Sequence, residues 1–287
     1  MNAAAAAVLA IAVFACAGVS AARADGDDLE GASGDALMHA VHARHQQYPY
    51  VFEQQVMVLE DRRGKRDTRR LRRYTRKEDD GTVRFLLLFD APSDVLGVAL
   101  MATRDPDGGT RQYFYLPALG GRLLEGANGD RDSDGHFLGT DFTVESLTGE
   151  VLDDYHYERQ ADAEIGDTRY FRVDVHPAGA DPVGVPLRQH FISQETLFIA
   201  RTDYLDERGR VHRRQTVHDL VPVGGGVWRP NLIRMENLRD GHRSLLRIER
   251  RVFSQDYVPE EIFTHEWILA NQPPLLALPA VSAEDEP

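Results

Sequence analysis

The sequence predicts a mainly β protein, an antiparallel meander that closes toward a barrel. From Val51 onward, eleven or twelve short stretches rich in β-branched and aromatic residues follow one another. Turn residues separate these stretches roughly every ten positions, which is typical of all-β sandwiches and barrels. The strands do not alternate with long helical stretches, so a Rossmann-type plan is excluded.

The composition is that of an ordinary globular protein. The chain has 287 residues, of which 42% are hydrophobic and 28% are charged. An all-β domain can reach roughly 250 residues, so we expect one domain over residues 25–271. The net charge of −13 would repel polyanions, which argues against a nucleic-acid-binding protein.

One helix is predicted before the strands, over residues 35–47. Ser33 is placed to cap its N-terminus, and Leu37, Met38 and Val41 form an apolar stripe at helical spacing. Pro49 ends it, because proline cannot continue a helix. The predicted strands that follow are 51–59, 68–77, 82–89, 98–104, 111–116, 152–159, 168–176, 187–193, 197–203, 211–221, 227–237 and 242–253.

The two ends of the chain carry different signals. Residues 1–24 read as a signal peptide, with an apolar stretch followed by the small-residue cleavage pattern Ala22-Arg23-Ala24. This pattern favours release into the periplasm over lipidation of Cys16, the single cysteine. Residues 272–287 contain four prolines and three acidic residues, and we expect them to form a disordered tail.

Two segments near the middle of the chain are distinctive. They read Tyr113-Phe114-Tyr115-Leu116-Pro117-Ala118-Leu119 and Phe137-Leu138-Gly139-Thr140-Asp141-Phe142. They resemble the outer membrane lipoprotein-sorting protein family, a LolA-like group of the LolA/LolB superfamily. Leu116, Pro117, Gly139, Thr140, Asp141 and Phe142 carry the match. The chain departs from the family at Gly120-Gly121, where the family has a basic pair, so no role of that pair is carried over.

The resemblance implies a fold and a function. The fold is an open, incomplete antiparallel β-barrel of about eleven strands with an N-terminal helix and short helical lid segments. The implied function is that of a periplasmic, non-enzymatic carrier or chaperone that binds acyl chains of a lipid or lipoprotein. It needs no cofactor, works as a monomer with peripheral contact to the membrane, and cooperates with an inner-membrane transporter of the RND/MMPL type.

The apolar faces of several strands are candidates for the lining of such a cavity. Alternation at period two places Val83, Phe85, Leu87 and Phe89 on one face of their strand. The full candidate lining is Val83, Phe85, Leu87, Phe89, Val98, Leu100, Tyr113, Tyr115, Phe171 and Val173. The same residues are equally typical of a filled core, and the sequence leaves both interpretations open.

A basic stretch contrasts with the acidic chain around it. Ten of the sixteen residues 62–77 are Lys or Arg, and Arg70, Arg72 and Arg76 share one strand face. Two interpretations fit equally. The charges protect an edge strand from aggregation, or they contact anionic lipid head groups or an acidic partner protein. An adaptor that docks through this strand is therefore an alternative function.

Motifs for catalysis are absent from the sequence: there is no nucleophile elbow, no P-loop and no zinc-protease motif. Asp130, Asp132, Asp134 and Asp141 do follow the spacing of an EF-hand calcium loop. However, aspartate replaces the bidentate glutamate of the twelfth position, and no helix is predicted before the loop. We therefore expect no metal site, and a metal-assisted hydrolase using these residues is the alternative.

Overall fold

The computed structural model describes residues 29–106, 109–119, 121–126, 137–179 and 184–270. The predicted signal peptide with Cys16, the residues Asp130, Asp132 and Asp134, and the predicted tail 272–287 lie outside the described residues. Within the described part, no helix is long and apolar enough to cross a membrane.

The described residues form three α-helices, five short 3₁₀ helices and thirteen strands. The α-helices are α1 (Gly34–His45), α2 (Val144–Thr148) and α3 (His265–Ala270). The strands are β1 (Tyr50–Glu60), β2 (Arg66–Lys77), β3 (Val83–Ala91), β4 (Ala99–Arg104), β5 (Thr110–Leu116), β6 (Arg122–Glu125), β7 (Tyr155–Ile165), β8 (Thr168–Pro177), β9 (Arg188–Ser193), β10 (Ile199–Leu205), β11 (Val211–Gly224), β12 (Val227–Asn237) and β13 (Arg243–Val252).

All of these strands belong to one antiparallel sheet. Its order is β6-β5-β4-β3-β2-β1-β13-β12-β11-β10-β9-β8-β7, and its edges β6 and β7 do not pair with each other in the described residues. The pairing of β1 with β13 joins the two ends of the chain at the centre of the sheet. The prediction of a mainly β, open antiparallel barrel with few helices is therefore confirmed. The sequence analysis missed β6, because four residues are too few to show alternation.

The local signals account for most element ends. Ser33 caps α1 as predicted, with its Oγ accepting a hydrogen bond from the N–H of Ala36 at 3.2 Å. Residues 152–159, predicted as strand from their start, instead begin with a 3₁₀ turn over Leu152–Asp154, and β7 starts at Tyr155. This turn lies between α2 and β7, and β7 forms one edge of the sheet.

The two faces of the sheet are covered by different segments. We call the face that carries Met57, Leu87, Leu100 and Met235 the inner face; one hydrophobic cluster joins these residues. Residues 137–148 cover part of it, and α1 covers the part formed by β7, β8 and β9. The opposite, outer face packs Leu86, Leu88 and Met101 beneath the C-terminal segment 255–270.

Candidate functional site: the lidded inner face

The predicted cavity residues are distributed over three places in the structure. Phe85, Leu87, Phe89, Val98 and Leu100 share the inner face, are at most 5% exposed, and pack together in one cluster. Val83 lies on the same strand face as Phe85 but is half-buried. Phe171 and Val173 line the inner face beneath α1. In the closed state described here, this part of the inner face is filled.

Tyr113 and Tyr115 are the exception, and their placement corrects the prediction. Strand pairing sets Tyr113 opposite Met101 and Tyr115 opposite Ala99, which belong to the outer-face cluster. Phe114, one residue out of phase, lies opposite Leu100 and contacts the inner cluster. Both faces of this strand are apolar, so the register with β4, rather than the sequence pattern, decides which side chains point inward.

The space over the inner cluster is occupied by residues 137–148, which we call the lid. Its side chains Phe137, Phe142 and Leu147 are buried against Phe89 and its neighbours. The lid begins with a 3₁₀ turn in which Leu138 and Gly139 adopt positive φ angles of 50° and 74°. Such a backbone favours glycine, which explains Gly139 in the motif. Helix α2 follows, and Thr143 and Ser146 cap its N-terminus reciprocally.

Asp141 of the motif fastens the lid to β13. Its Oδ2 accepts a hydrogen bond from Ser244 Oγ at 2.8 Å and lies 2.7 Å from His242 Nδ1. The backbone N–H of Asp141 donates to Ser244 Oγ at 2.9 Å. Because Asp141 is 1% exposed and committed to β13, this arrangement argues against its use as a calcium ligand or as part of a hydrolase site.

Three arginines of the inner face hold the lid by its backbone. Arg69 Nη1 donates to the carbonyl of Leu138 at 2.8 Å, and Arg213 Nη1 donates to the carbonyl of Asp141 at 3.2 Å. Arg104 Nη2 donates to the carbonyl of Gly149, just beyond the lid, at 2.8 Å. The bond from Arg213 satisfies a buried carbonyl that would otherwise lack a partner. The lid is therefore held by side chains rather than by strand pairing.

An ion-pair network continues from α2 to strand β9. Arg188 Nη1 lies 2.7 Å from Glu145 Oε2, and its Nη2 lies 2.8 Å from Glu150 Oε2. His190 Nε2 lies 3.2 Å from Glu150, whose other oxygen accepts from the Tyr157 hydroxyl. Burial alone would raise the pKa of Glu150, but Arg188 and His190 outweigh it and hold the pKa at about 2. The carboxylate is therefore ionised wherever the protein is folded near neutral pH.

Two open spaces flank this network. A cleft of about 660 Å³ lies between the lid and strands β9 to β11, and Glu145, Arg188, Tyr204 and Arg213 line its floor. A smaller apolar pocket of about 210 Å³ lies beneath α1, lined by Val41 and neighbouring apolar side chains. Glu150 lines the second space while Arg188 lines the first, so the ion pair that joins them separates a polar cleft from an apolar pocket.

A second buried charge cluster lies where β1, β2, β12 and β13 meet. Glu53 accepts from Arg251 Nε at 2.6 Å and lies 3.4 Å from Arg73 Nη1. Arg229 lies nearby, and burial together with the positive charge of Arg251 lowers its pKa to about 10. Glu53 is thus a buried anion that compensates several inward-facing arginines. Sequence reasoning did not single out these residues.

The basic stretch lies on β2, which is in the interior of the sheet between β1 and β3. The edge-strand interpretation is therefore wrong. Arg72 forms a forked ion pair with Asp90, with its Nη2 2.7 Å from Oδ1, and Arg76 is buried and bonded to Glu78 at 2.7 Å. Arg70, on the same outer face, is exposed. Contact of these arginines with a head group or partner stays a prediction, and it now depends mainly on Arg70.

The fold of this chain is an open sheet with a lid over its inner face, and three solved structures are similar to it. The first is a crystal structure described as an outer membrane lipoprotein-sorting protein domain from Vibrio parahaemolyticus; the TM-score is 0.73 at 20% identity, covering 85% of this chain and 100% of that chain. A DUF1329 family protein from Desulfovibrio piger gives 0.71 at 19% identity, with coverages of 82% and 97%. A LolA superfamily protein from Nitrosomonas europaea gives 0.63 at 14% identity, with coverages of 82% and 99%.

At these identities the likeness shows the fold, which is LolA-like, and it confirms the resemblance that the two motif segments carried. No curated protein matches the sequence. A family model with the description "Uncharacterized protein" matches residues 81–269, and the chain belongs to that family. The matched range contains both motif segments, the lid and strands β3 to β13.

Proposed function

We propose that this protein is a periplasmic carrier that holds acyl chains of a lipid or lipoprotein on the inner face, beneath the lid. One observation carries the proposal. The lid covers a contiguous apolar surface, yet it is attached to the sheet through side chains of Asp141, Arg69 and Arg213. The lid can therefore open without breaking any strand pairing.

The physical basis of binding is the exchange of one apolar contact for another. In the closed state Phe137, Phe142 and Leu147 of the lid cover Phe89 and its neighbours. An acyl chain that enters would displace these side chains and be removed from water, a transfer that contributes about 0.8 kcal/mol per buried CH₂ group. Because the lid competes for the same surface, the net affinity is smaller than this sum. Such competition suits a carrier, which must also release its cargo.

Release requires a partner or a further lid movement. The family resemblance implies an inner-membrane transporter of the RND type as the source or the acceptor of the lipid. The carrier itself performs no chemistry in this proposal: it binds, shields and hands on an apolar chain. The lipoprotein-sorting description of the Vibrio structure supports the proposal by analogy of fold.

The proposal is tested by titrating the purified protein with a fluorescent fatty-acyl probe. We expect saturable binding with one probe per chain. Phe142→Ala removes a lid side chain that occupies the site, so it should strengthen probe binding while costing about 3–5 kcal/mol of folding stability.

Phe263→Ala is the matched control, because Phe263 is also buried but packs on the outer face. It should cost a similar amount of stability and leave the affinity for the probe unchanged. Absence of saturable probe binding in the parent and in Phe142→Ala would overturn the carrier proposal. It would favour a filled, purely structural core in its place.

A further inference from the structure

The cleft beside the lid has a charge opposite to that of the whole chain. The protein carries a net charge of −13. Five arginines line the cleft against the three carboxylates of Glu145, Asp206 and Glu207. The arginines are Arg188, Arg208, Arg210, Arg213 and Arg239. A concave space with an excess of guanidinium groups attracts anions.

Two of these arginines are built into the sheet rather than exposed at its rim. Arg188 and Arg213 are 5% and 7% exposed. Strand pairing sets both directly opposite Tyr204, one on each side, so the three side chains form a row across the inner face. The guanidinium of Arg213 lies over the Tyr204 ring at 5.0 Å from its centre. The strand backbones that carry the two arginines lie two strand spacings apart, about 10 Å.

The two cations differ in how they are compensated. Arg188 is paired with Glu145 and Glu150. Arg213 bonds a backbone carbonyl and a ring face, and among the described residues no carboxylate lies within ion-pair distance of it. The Nε atoms of both arginines are buried without a hydrogen-bond partner. A buried cation without a counter-ion is costly, and a bound anion would compensate it.

The lid connects this cleft with the apolar inner cluster. Phe142 and Leu147 of the lid face the cluster, whereas Thr143 and Glu145 line the cleft. A lipid whose acyl chain lies beneath the lid would therefore place its polar end in the cleft. When the lid opens, Glu145 leaves with α2, and Arg188 becomes available to a second anion in its place.

We infer that the cleft is the headgroup subsite of the carrier, that it takes an anionic phosphate headgroup, and that Arg213 and Arg188 bind the phosphate. A guanidinium presents two parallel N–H donors that match phosphate oxygens, and such charge-assisted bonds are about twice as strong as neutral ones. This inference rests on the proposed carrier function and narrows its cargo to anionic phospholipids.

The test compares two fluorescent lipids with identical acyl chains, one with an anionic phosphatidylglycerol headgroup and one a diacylglycerol that carries no phosphate. We expect the anionic lipid to bind the parent protein about 10- to 100-fold more tightly, the equivalent of one charge-assisted contact. Arg213→Met keeps the apolar stem and should bring the ratio of the two Kd values close to one. Any loosening of the lid by this change affects both lipids alike, so the ratio isolates the headgroup contact.

The control variant is Arg247→Met, which removes an exposed arginine from β13, away from the cleft. It should leave the ratio of Kd values as in the parent. Should Arg213→Met fail to fold, Arg208→Met at the rim of the cleft provides the second variant, with a smaller expected reduction of the ratio. Inorganic phosphate alone serves as a third probe, and we expect it to compete only at millimolar concentrations.

The outcomes separate the two proposals. Equal affinity for both lipids in the parent, or a preference that survives Arg213→Met, would overturn the headgroup inference and leave the carrier proposal standing. Tight binding of inorganic phosphate that is independent of any acyl chain would also overturn it, in favour of a free-anion site. Failure of both lipids to bind would overturn the carrier proposal itself.

Discussion

Replacing Asp141 by alanine should loosen the lid while the sheet stays intact. The side chain of Asp141 contacts β13 through one carboxylate oxygen, which lies within hydrogen-bond distance of both Ser244 and His242. Alanine removes both contacts and leaves the lid backbone and its apolar side chains in place. The change therefore acts on the attachment of the lid rather than on the inner cluster.

The magnitude follows from the burial of the two partners. Ser244 is 0% exposed, so its hydroxyl loses an acceptor that water cannot replace, at a cost of about 1–3 kcal/mol. The His242 side chain is 25% exposed, so water substitutes for the carboxylate, and the loss is at most about 1 kcal/mol. Together these contributions favour lid opening by about 1–4 kcal/mol, which is about 5- to 1,000-fold in the opening equilibrium.

Hydrogen–deuterium exchange followed by mass spectrometry measures this directly. We expect the amides of residues 137–148 to exchange faster by that factor in Asp141→Ala. The exchange rates of the amides of β1 and β13 should change much less. Asp94→Ala, at an exposed aspartate, is the control and should alter neither region. Equal acceleration of amide exchange in the lid and in the sheet, or no acceleration in the lid, would refute the role of Asp141 in attaching the lid to β13.

Three further predictions concern charge and processing. Because the folded-state pKa of Glu150 is about 2, below its ordinary value of 4.5, its contribution to stability is full above pH 4.5. About 3 kcal/mol is then lost as the pH falls toward 2; denaturant unfolding of parent and Glu150→Gln across this range should show the difference disappearing. Glu53→Gln leaves buried arginines without their counter-ion and should lower folding stability by about 3–5 kcal/mol. Glu249→Gln, at an exposed residue, should lower it by at most about 1 kcal/mol, and thermal unfolding measures both. N-terminal sequencing of the exported protein should begin after residue 24, whereas a chain that begins at a lipidated Cys16 would contradict the soluble carrier.

The strands were predictable because each has a half-buried or buried face that the period of two reveals. Phe85, Leu87 and Phe89 alternate with the outer-face residues Leu86 and Leu88, and local sequence is sufficient to assign them to opposite faces. Local sequence could not predict which face of each strand lies on the inner side of the sheet. Tyr113 was placed on the wrong face because pairing with β4, which no local pattern encodes, decides it.

Strand order is a second property that local sequence did not contain. The basic strand β2 resembled an edge strand because its arginines resemble the charges that protect edges. It lies inside the sheet because it pairs with β1 on one side and with β3 on the other. Once the strand is internal, its outward arginines find partners such as Asp90.

The sequence contains an indication of the role of Arg69, which binds the lid. Arg69 and Arg73 lie on either side of Leu71 on one strand face, so charges interrupt a face that is buried at Leu71. Such an interruption predicts a buried polar contact, because an unpaired inward charge is not tolerated. The identity of the contact, the carbonyl of Leu138, requires the three-dimensional structure.

The most direct test of the central claim is to locate a bound acyl chain by photocrosslinking with a fatty-acyl diazirine, using mass spectrometry to assign each adduct to a residue. We expect saturable adducts on the inner-face residues Phe85 and Leu87 and on the lid, and we expect unlabelled lipid to compete for them. Adducts on Leu86 and Leu88 of the outer face, or labelling across the surface that neither saturates nor is competed, would contradict it.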